Sequence, residues 1–492
     1  MKKMNLLVMS LVSAAALSFS SCSSNDDLTG GGGSNQSKVE GFYMTLAVQT
    51  PTSNGTRTQQ QEKKVDATEA ESKVTSGTFY LVNAKGEIVF TKNITETEWE
   101  KAAPVLTTPG KTQIQVPVQN VTEGETYNVY FLANTTDAKP WESIFAPAVE
   151  KFTTTNMFDA GYATANKFAM FNQNDNKSRA DQYTVTFKKE NKEITSPASI
   201  GKPIMLDRVT ARIDKPTSET TTINGVLAEG ASELQKKAVA DAKKKVKSID
   251  LTSYALTNLS NMTNIMQKWD AAWASLQIPT GTTYMQKAED LGGKYNITNA
   301  GWFTDAAQNY VFENTATTPT TMYFEYTVTL DGTKFTDTPD CTDGTFYRYN
   351  GNIYRSIDAI YAAYKDQPVL FGGKTAAELL AELKIKTTGE GETATKTIGA
   401  TEEELAKFRK DNVIEVFRAG KTYYSKVITD FWLGTNTIQR NTVYQLKVKN
   451  IFNVGADVPN GEPDENKPMY YLDVEVSVNP WVLSTQDVNL GE

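Results

Sequence analysis

The sequence predicts a mainly β fold built of two β-sandwiches with a few short helices, and three observations predict it. Short segments of strand character follow one another from Val74 to Asp214 with turn residues between them. A second series begins at Ser248 and ends in Leu472, Val474, Val476 and Val478 alternating with Asp473, Glu475 and Ser477, the period of a half-buried strand. The chain also carries 22 Tyr and 21 Phe beside abundant Thr and Val, residue types that fit pleated sheets. Its 492 residues leave room for about three domains, or two if they are large sandwiches.

Composition excludes more than it assigns. There is no histidine, which removes Ser-His and Cys-His nucleophilic pairs and the usual metal ligands. A net charge of −8 argues against a nucleic-acid partner. Two cysteines, Cys22 and Cys341, give no disulfide framework, and Cys341 without a histidine to activate it is expected to be buried and inert. Asp26-Asp27 and the carboxylates from Asp340 to Asp343 lack the ligand spacing of a calcium loop. No metal, cofactor or enzymatic activity is expected.

Lys2 and Lys3 precede an apolar run from Leu6 to Phe19, and small residues lead to Cys22. This is an export signal too short to span a bilayer stably, and the cysteine makes it similar to a bacterial lipoprotein signal, with Cys22 as the lipidated residue. Ser23 to Asp27 is similar to an acidic surface-export tag, and Gly30 to Asn35 is a flexible linker. In the next segment Phe42, Met44, Leu46 and Val48 alternate with Tyr43, Thr45, Ala47 and Gln49, which predicts a strand. Thr50 to Glu62 is a polar loop with the turn pair Asn54-Gly55 and one arginine, Arg57. Such a residue is open to an arginine-specific protease, or is a plain solvated side chain.

Strands are expected at Thr78–Val82, Glu87–Thr91, Thr112–Val118, Thr126–Leu132, Tyr183–Lys188 and Ile204–Ile213, the last with Arg208 and Arg212 on the side of Leu206 as paired structural arginines. Pro216 to Gly230 reads as an interdomain linker. Ala231–Val246, Ser356–Tyr364, Thr375–Leu383 and Thr401–Lys410 read as helices, two with capping boxes, Thr375 with Glu378 and Thr401 with Glu404. Ser248–Asn258 and Thr321–Leu330 read as strands, the latter followed by a hairpin-type turn at Asp331-Gly332. Phe346–Tyr354 reads as a hairpin around Asn350-Gly351, and Val413–Ala419 with Thr422–Ile428 as a strand pair. The aromatics Trp269, Trp273, Tyr284, Tyr295, Trp302 and Phe303 fill a core or, less commonly, stack on sugars. Pro480 should end or bend the penultimate strand, so that Trp481 to Leu490 forms a separate extended arm.

Phe42 to Arg57, Leu206 to Arg212 and above all Tyr471 to Leu490 with its Val-Asn-Pro-Trp-Val centre carry a resemblance to the fimbrillins. These are the precursor pilins of the type V pili of Bacteroidetes-type bacteria, and the chain is most similar to the major subunit of their short fimbriae. The resemblance implies two transthyretin-like sandwiches and a lipidated precursor that reaches the outer membrane. It further implies that an arginine-specific surface protease cuts between Arg57 and Thr58. The anchor leaves with the strand of Phe42, Met44, Leu46 and Val48, and a neighbour's C-terminal arm fills the groove. Carried over, the donated residues are Trp481, Val482, Leu483, Val488 and Leu490. The implied divisions are 1–22 signal, 23–37 linker, 38–57 removable strand, 58–215 and 216–480 sandwiches, and 481–492 donor arm.

The implied partners are further copies of the chain in a homopolymer, accessory and anchor pilins, the protease, and host or bacterial surface ligands. Only the precursor would touch the membrane, through its lipid, and the mature protein would lie in a cell-surface fimbria. Two other readings stand beside a shaft subunit. One is an accessory or tip adhesin of the same pilus, and the other a surface lipoprotein, enzyme or glycan-binding, that keeps its anchor.

Overall fold

The computed structural model describes residues 41–50, 65–104, 111–134, 151–153, 162–174, 183–227, 229–272, 274–298, 306–315, 317–367, 369–430, 433–461 and 472–483. Strand β1 (Phe42–Gln49) has the expected alternation, with Phe42, Met44, Leu46 and Val48 buried and the residues between them half-buried. A three-residue strand, β2 (Val65–Ala67), leads into a one-turn helix, α1 (Glu69–Ser72). The Thr68 hydroxyl accepts the Glu71 N–H and the Glu71 carboxylate accepts the Thr68 N–H, a capping box that satisfies two donors of the helix start.

There follow β3 (Gly77–Val82), β4 (Ile88–Ile94), β5 (Lys111–Val118), β6 (Thr126–Ala133), β7 (Met170–Asn172) and β8 (Ile204–Arg208). With β1 and three shorter pieces they form a ten-stranded sheet in the order β4-β3-β6-β7-β8-β1-β5. Its middle strands are apolar on both faces. Phe79, Leu81, Val129, Phe131 and Met170 face the same core as β1, whereas Tyr80, Val82, Tyr130, Leu132 and Phe171 join the core of the C-terminal sheets. The sheet is therefore packed on both sides along β3, β6 and β7.

Beyond β8 the expected single strand Ile204–Ile213 is two. Val209 and Thr210 interrupt it, and β9 (Ala211–Asp214) pairs in a different sheet. The chain thus crosses from one sheet to the next between Arg208 and Arg212. Pro216 to Gly230, read as a linker, is attached as far as Gly225: Thr217 and Ser218 pair with a later strand, Ile223 is buried, and the Gly225 N–H donates to the Ile451 carbonyl.

The second half contains helix α2 (Glu233–Lys245), β10 (Val246–Thr257), β11 (Gln308–Val311), β12 (Thr321–Leu330), helices α3 (Ile357–Ala363), α4 (Ala376–Leu383) and α5 (Glu402–Asn412), β13 (Lys421–Val427), β14 (Thr442–Ile451) and β15 (Leu472–Leu483). Both capping boxes named above are formed. One sheet runs β2-β15-β14-β9-β11 and another β10-β12-β13. Helices α3, α4 and α5 close a separate core, with Leu379, Leu383, Leu405 and Phe408, inserted between β12 and β13.

Two expected pairings change. Asp331-Gly332 opens a short 3-10 turn into that insertion instead of a hairpin. Glu415–Phe417 pairs with Phe346–Tyr349, and β13 pairs with β12, so these two segments do not pair with each other. Asn350 and Gly351 do form a tight hairpin, both at positive φ (45° and 76°), the conformation that Asn-Gly adopts at least cost. Pro480 does not end its strand. It stands on the last rung with β14, opposite Thr442, and β15 continues to Leu483 with β2 as partner on its other flank. A residue without an N–H is tolerated where the partner strand is ending.

Candidate functional site

The candidate site is the place of β1 in its sheet together with the end of β15. All eight residues of β1 pair antiparallel with β5, from Phe42 opposite Val118 to Gln49 opposite Lys111. On the other flank β1 runs parallel to β8, with Val48 opposite Ile204, and to Ala198–Ser199. Met44, Leu46 and Val48 are at most 1% exposed. Phe42 packs on Phe187 with ring centroids 5.3 Å apart, and the Lys192 ammonium lies 5.2 Å from the Phe42 ring centroid. Four buried apolar side chains of this size correspond to about 1.5–3 kcal/mol each. Without β1, strands β5 and β8 would flank an apolar slot with unpaired backbone groups along its walls.

The other half of the site is β15. It is antiparallel to β14 from Leu472 to Pro480, and parallel to β2 at Val65–Trp481, Asp66–Val482 and Ala67–Leu483. Residues Trp481, Val482 and Leu483 therefore belong to a strand of their own chain. Val488 and Leu490 lie outside the described residues, as do Cys22, Arg57 and Thr58.

Between β1 and β15 stands a buried ionic cluster. Arg208 is fully buried; its Nε donates to the Glu71 carbonyl at 2.8 Å, Nη1 to Asn441 Oδ1 at 2.9 Å and Nη2 to Ser72 Oγ at 2.9 Å. Arg212 reaches Glu71 Oε1 at 3.1 Å and grips Asp214 through Nε and Nη2 at 2.8 and 3.2 Å. Tyr310 donates to Glu71 Oε1 at 2.8 Å. Burial pushes the Glu71 carboxyl up, but the Thr68 N–H, the Tyr310 hydroxyl and the Arg212 charge outweigh it and hold the group below its ordinary value. Burial lowers the Arg208 guanidinium to about 9, which leaves it charged at neutral pH. The two arginines expected as a structural pair are brought together, with Glu71 between them. Sequence reasoning missed Glu71, although Thr68-Glu-Ala-Glu71 has the capping-box spacing recognised elsewhere in the chain.

Among the described residues, the remaining candidates are accounted for by packing. Trp269 is buried, and its Nε1 donates to the Asn174 carbonyl at 2.9 Å, so its ring is core and not a sugar platform. Tyr284 and Tyr295 are half-buried, and Trp273, Trp302 and Phe303 lie outside the described residues. Cys341 is buried, and burial followed by the charges of Asp343 and Asp340 pushes its thiol up to about 12, which makes it unreactive at neutral pH.

Comparison with known proteins returns two family models. Residues 43–208 match the major fimbrial subunit protein (FimA) model, and residues 415–487 match the C-terminal model of fimbrillin, the major fimbrial subunit protein type IV. The first begins within β1 and ends at Arg208; the second takes in β13, β14 and β15. No curated protein matches. Among solved structures, a putative cell adhesion protein of Parabacteroides distasonis is 12% identical, with 91% of this chain and 99% of that one covered and a TM-score of 0.44. A fimbrilin of Porphyromonas gingivalis is 14% identical, with 90% and 99% covered and a TM-score of 0.43. The tip fimbrial protein of the same organism, with a C-terminal truncation, is 13% identical, with 89% and 100% covered and a TM-score of 0.33. With the slot strands in one matched region and the terminal strand in the other, this mainly β chain matches fimbrillin major-subunit models in both its N-terminal and its C-terminal part.

Proposed function

We propose that the protein is a structural subunit of a cell-surface fimbria, exported as an outer-membrane lipoprotein precursor through Cys22, cut after Arg57 and polymerised by strand exchange. The observation that carries this reading is the position of β1. It is an internal strand, paired on both flanks and buried on its apolar side, yet in the sequence it stands only a few residues before Arg57. Cleavage at Arg57–Thr58 would leave 58–215 and 216–480 as the two sandwiches and would open the slot between β5 and β8.

An extended segment with apolar residues at alternate positions fills such a slot through backbone hydrogen bonds and side-chain pockets. The arm 481–492 supplies that segment from another copy. The contact is head to tail and does not close on itself, so a filament follows. Accessory and anchor pilins would use the same joint at the filament's ends, an arginine-specific surface protease would release it, and surface ligands would meet the assembled fimbria. A non-enzymatic role follows from this reading.

Arg57→Ala tests it. Protein sheared from cells that produce the native chain should begin at Thr58 and run as a ladder of oligomers on unheated denaturing gels. The variant should keep its lipid, stay with the cell envelope and run as a monomer. A variant that still polymerises with residues 42–49 attached would refute the proposal.

A further inference from the structure

Glu71 stands where three parts of the molecule meet. Four residues before it, Ala67 is the partner of Leu483, the last described residue of β15. Just after it, Asn134 Nδ2 donates to the Lys73 carbonyl and to the Phe168 carbonyl, both at 2.8 Å, and the Thr75 N–H donates to Asn134 Oδ1, which fastens the downstream chain to the end of β6. To the side, Arg212 holds the Glu71 carboxylate while its own backbone pairs with Val443 of β14, whose other partner is Asn479 of β15. β15 thus pairs with β14 as far as Pro480 and with β2 from Trp481 to Leu483, and Arg212 is tied to both partners, by its backbone to β14 and through Glu71 to the helix that follows β2. A parallel pair of three residues has little stability of its own. Helix α1 follows β2 after a single residue and is itself bonded to Arg208, Arg212 and Tyr310.

We infer that Glu71 is a positioning residue for assembly: gripped by Arg208, Arg212 and Tyr310, it seats β2 against residues 481–483 and so fixes the point at which the donor arm leaves the subunit. The inference rests on the strand-exchange reading above. It matters most after processing, because a cut upstream of β2 leaves that strand tethered only on its α1 side. If β2 comes away, residues 481–483 lose the strand they pair with, and about 10 Å of chain, at about 3.3 Å per residue, is released from the subunit. Each joint then has more chain to order, and assembly is less favourable.

The test compares native full-length chain with Glu71→Ala by amide hydrogen exchange, and the same two proteins by polymer yield from cells. Exchange should be at least about tenfold faster at residues 65–67 and 481–483 and unchanged at 42–48 and 443–448, with normally cleaved subunits and polymer yield down several-fold. Tyr310→Phe, which removes one hydrogen bond and leaves the ion pair, should give the same local pattern at about threefold, and serves if Glu71→Ala does not fold. Unchanged exchange at 481–483 overturns the inference, as does faster exchange across both sheets, which would mark Glu71 as a general structural residue. Local loosening with normal polymers overturns the assembly role while strand exchange stands. If deletion of 481–492 also leaves polymers intact, strand exchange itself is what has failed.

Discussion

The two strands at either end of the described chain are built on opposite principles. β1 is bonded along its whole length to β5, is flanked by β8 and by Ala198–Ser199 on its other side, and buries four apolar side chains. β15 is longer, yet only Val474 is buried between Leu472 and Val476, and beyond Pro480 its described partner is a three-residue strand. Between Leu472 and Val476 β15 buries one apolar side chain where β1 buries four, although β15 is paired with β14 as fully as β1 is with β5; the described residues proposed to be given away, Trp481 to Leu483, pair only with the short β2. The contrast has a physical use. A strand paired and buried along its length stays in place until the chain is cut, whereas Trp481 to Leu483, beside a three-residue strand, are held by less.

The largest effect should come from challenging β1. Leu46→Ala in the precursor should cost about 2–5 kcal/mol, the usual range for emptying a fully buried leucine site, read as a lowered urea midpoint. Val476→Ala, at a half-buried position of β15, should cost much less. If the two changes are equally destabilising, the asymmetry between the strands is wrong. If Leu46→Ala destabilises the precursor but not the assembled fimbria, the strand has been discarded as proposed.

The clamp at the root of β15 should show itself in acid. The Glu71 carboxyl is held below its ordinary value of 4.5 by groups that overcome its burial. Its ionised form therefore stabilises the fold fully above 4.5, and that contribution is lost as pH falls through the lowered folded value. Urea midpoints of the native chain should drop as pH falls below 4.5 more steeply than those of Glu71→Gln, which starts less stable at neutral pH and has no carboxyl to protonate. Parallel curves for the two proteins would show that the acid limb belongs to other carboxylates.

Why β1 was legible and β15 only partly so is a matter of how locally each is determined. The alternation of Phe42, Met44, Leu46 and Val48 is a property of eight neighbouring residues, and one face of the strand meets one core. In β3 and β6 the rule of alternation is absent because both faces are covered, so Phe79 and Tyr80 are equally buried in different cores. The sheet change between Arg208 and Arg212 and the exchange of partners by Glu415–Phe417 depend on contacts between residues far apart in sequence, which periodicity does not record. At Pro480 the missing donor was read correctly, but its consequence depends on where β14 stops. Glu71 was hidden for a related reason. A four-residue helix has no apolar stripe, and only its capping spacing marks it.

The smallest effect concerns the exposed flank of β15. Lys449 on β14 lies 2.9 Å from Glu475 on β15 and 3.2 Å from Glu219, and all three side chains are substantially exposed. Pairs of this kind spend much of their Coulomb gain on ordering long side chains, and salt screens what remains. Lys449→Ala should therefore shift the urea midpoint barely, and any shift should vanish at high ionic strength. A large, salt-insensitive loss would mean that the surface of β15 does more to hold the strand than its burial indicates. In that case the ease of donating the arm could not be traced to weak local attachment, and the grip of β2 and Glu71 would have to be weighed against a second fastening along the β14 side.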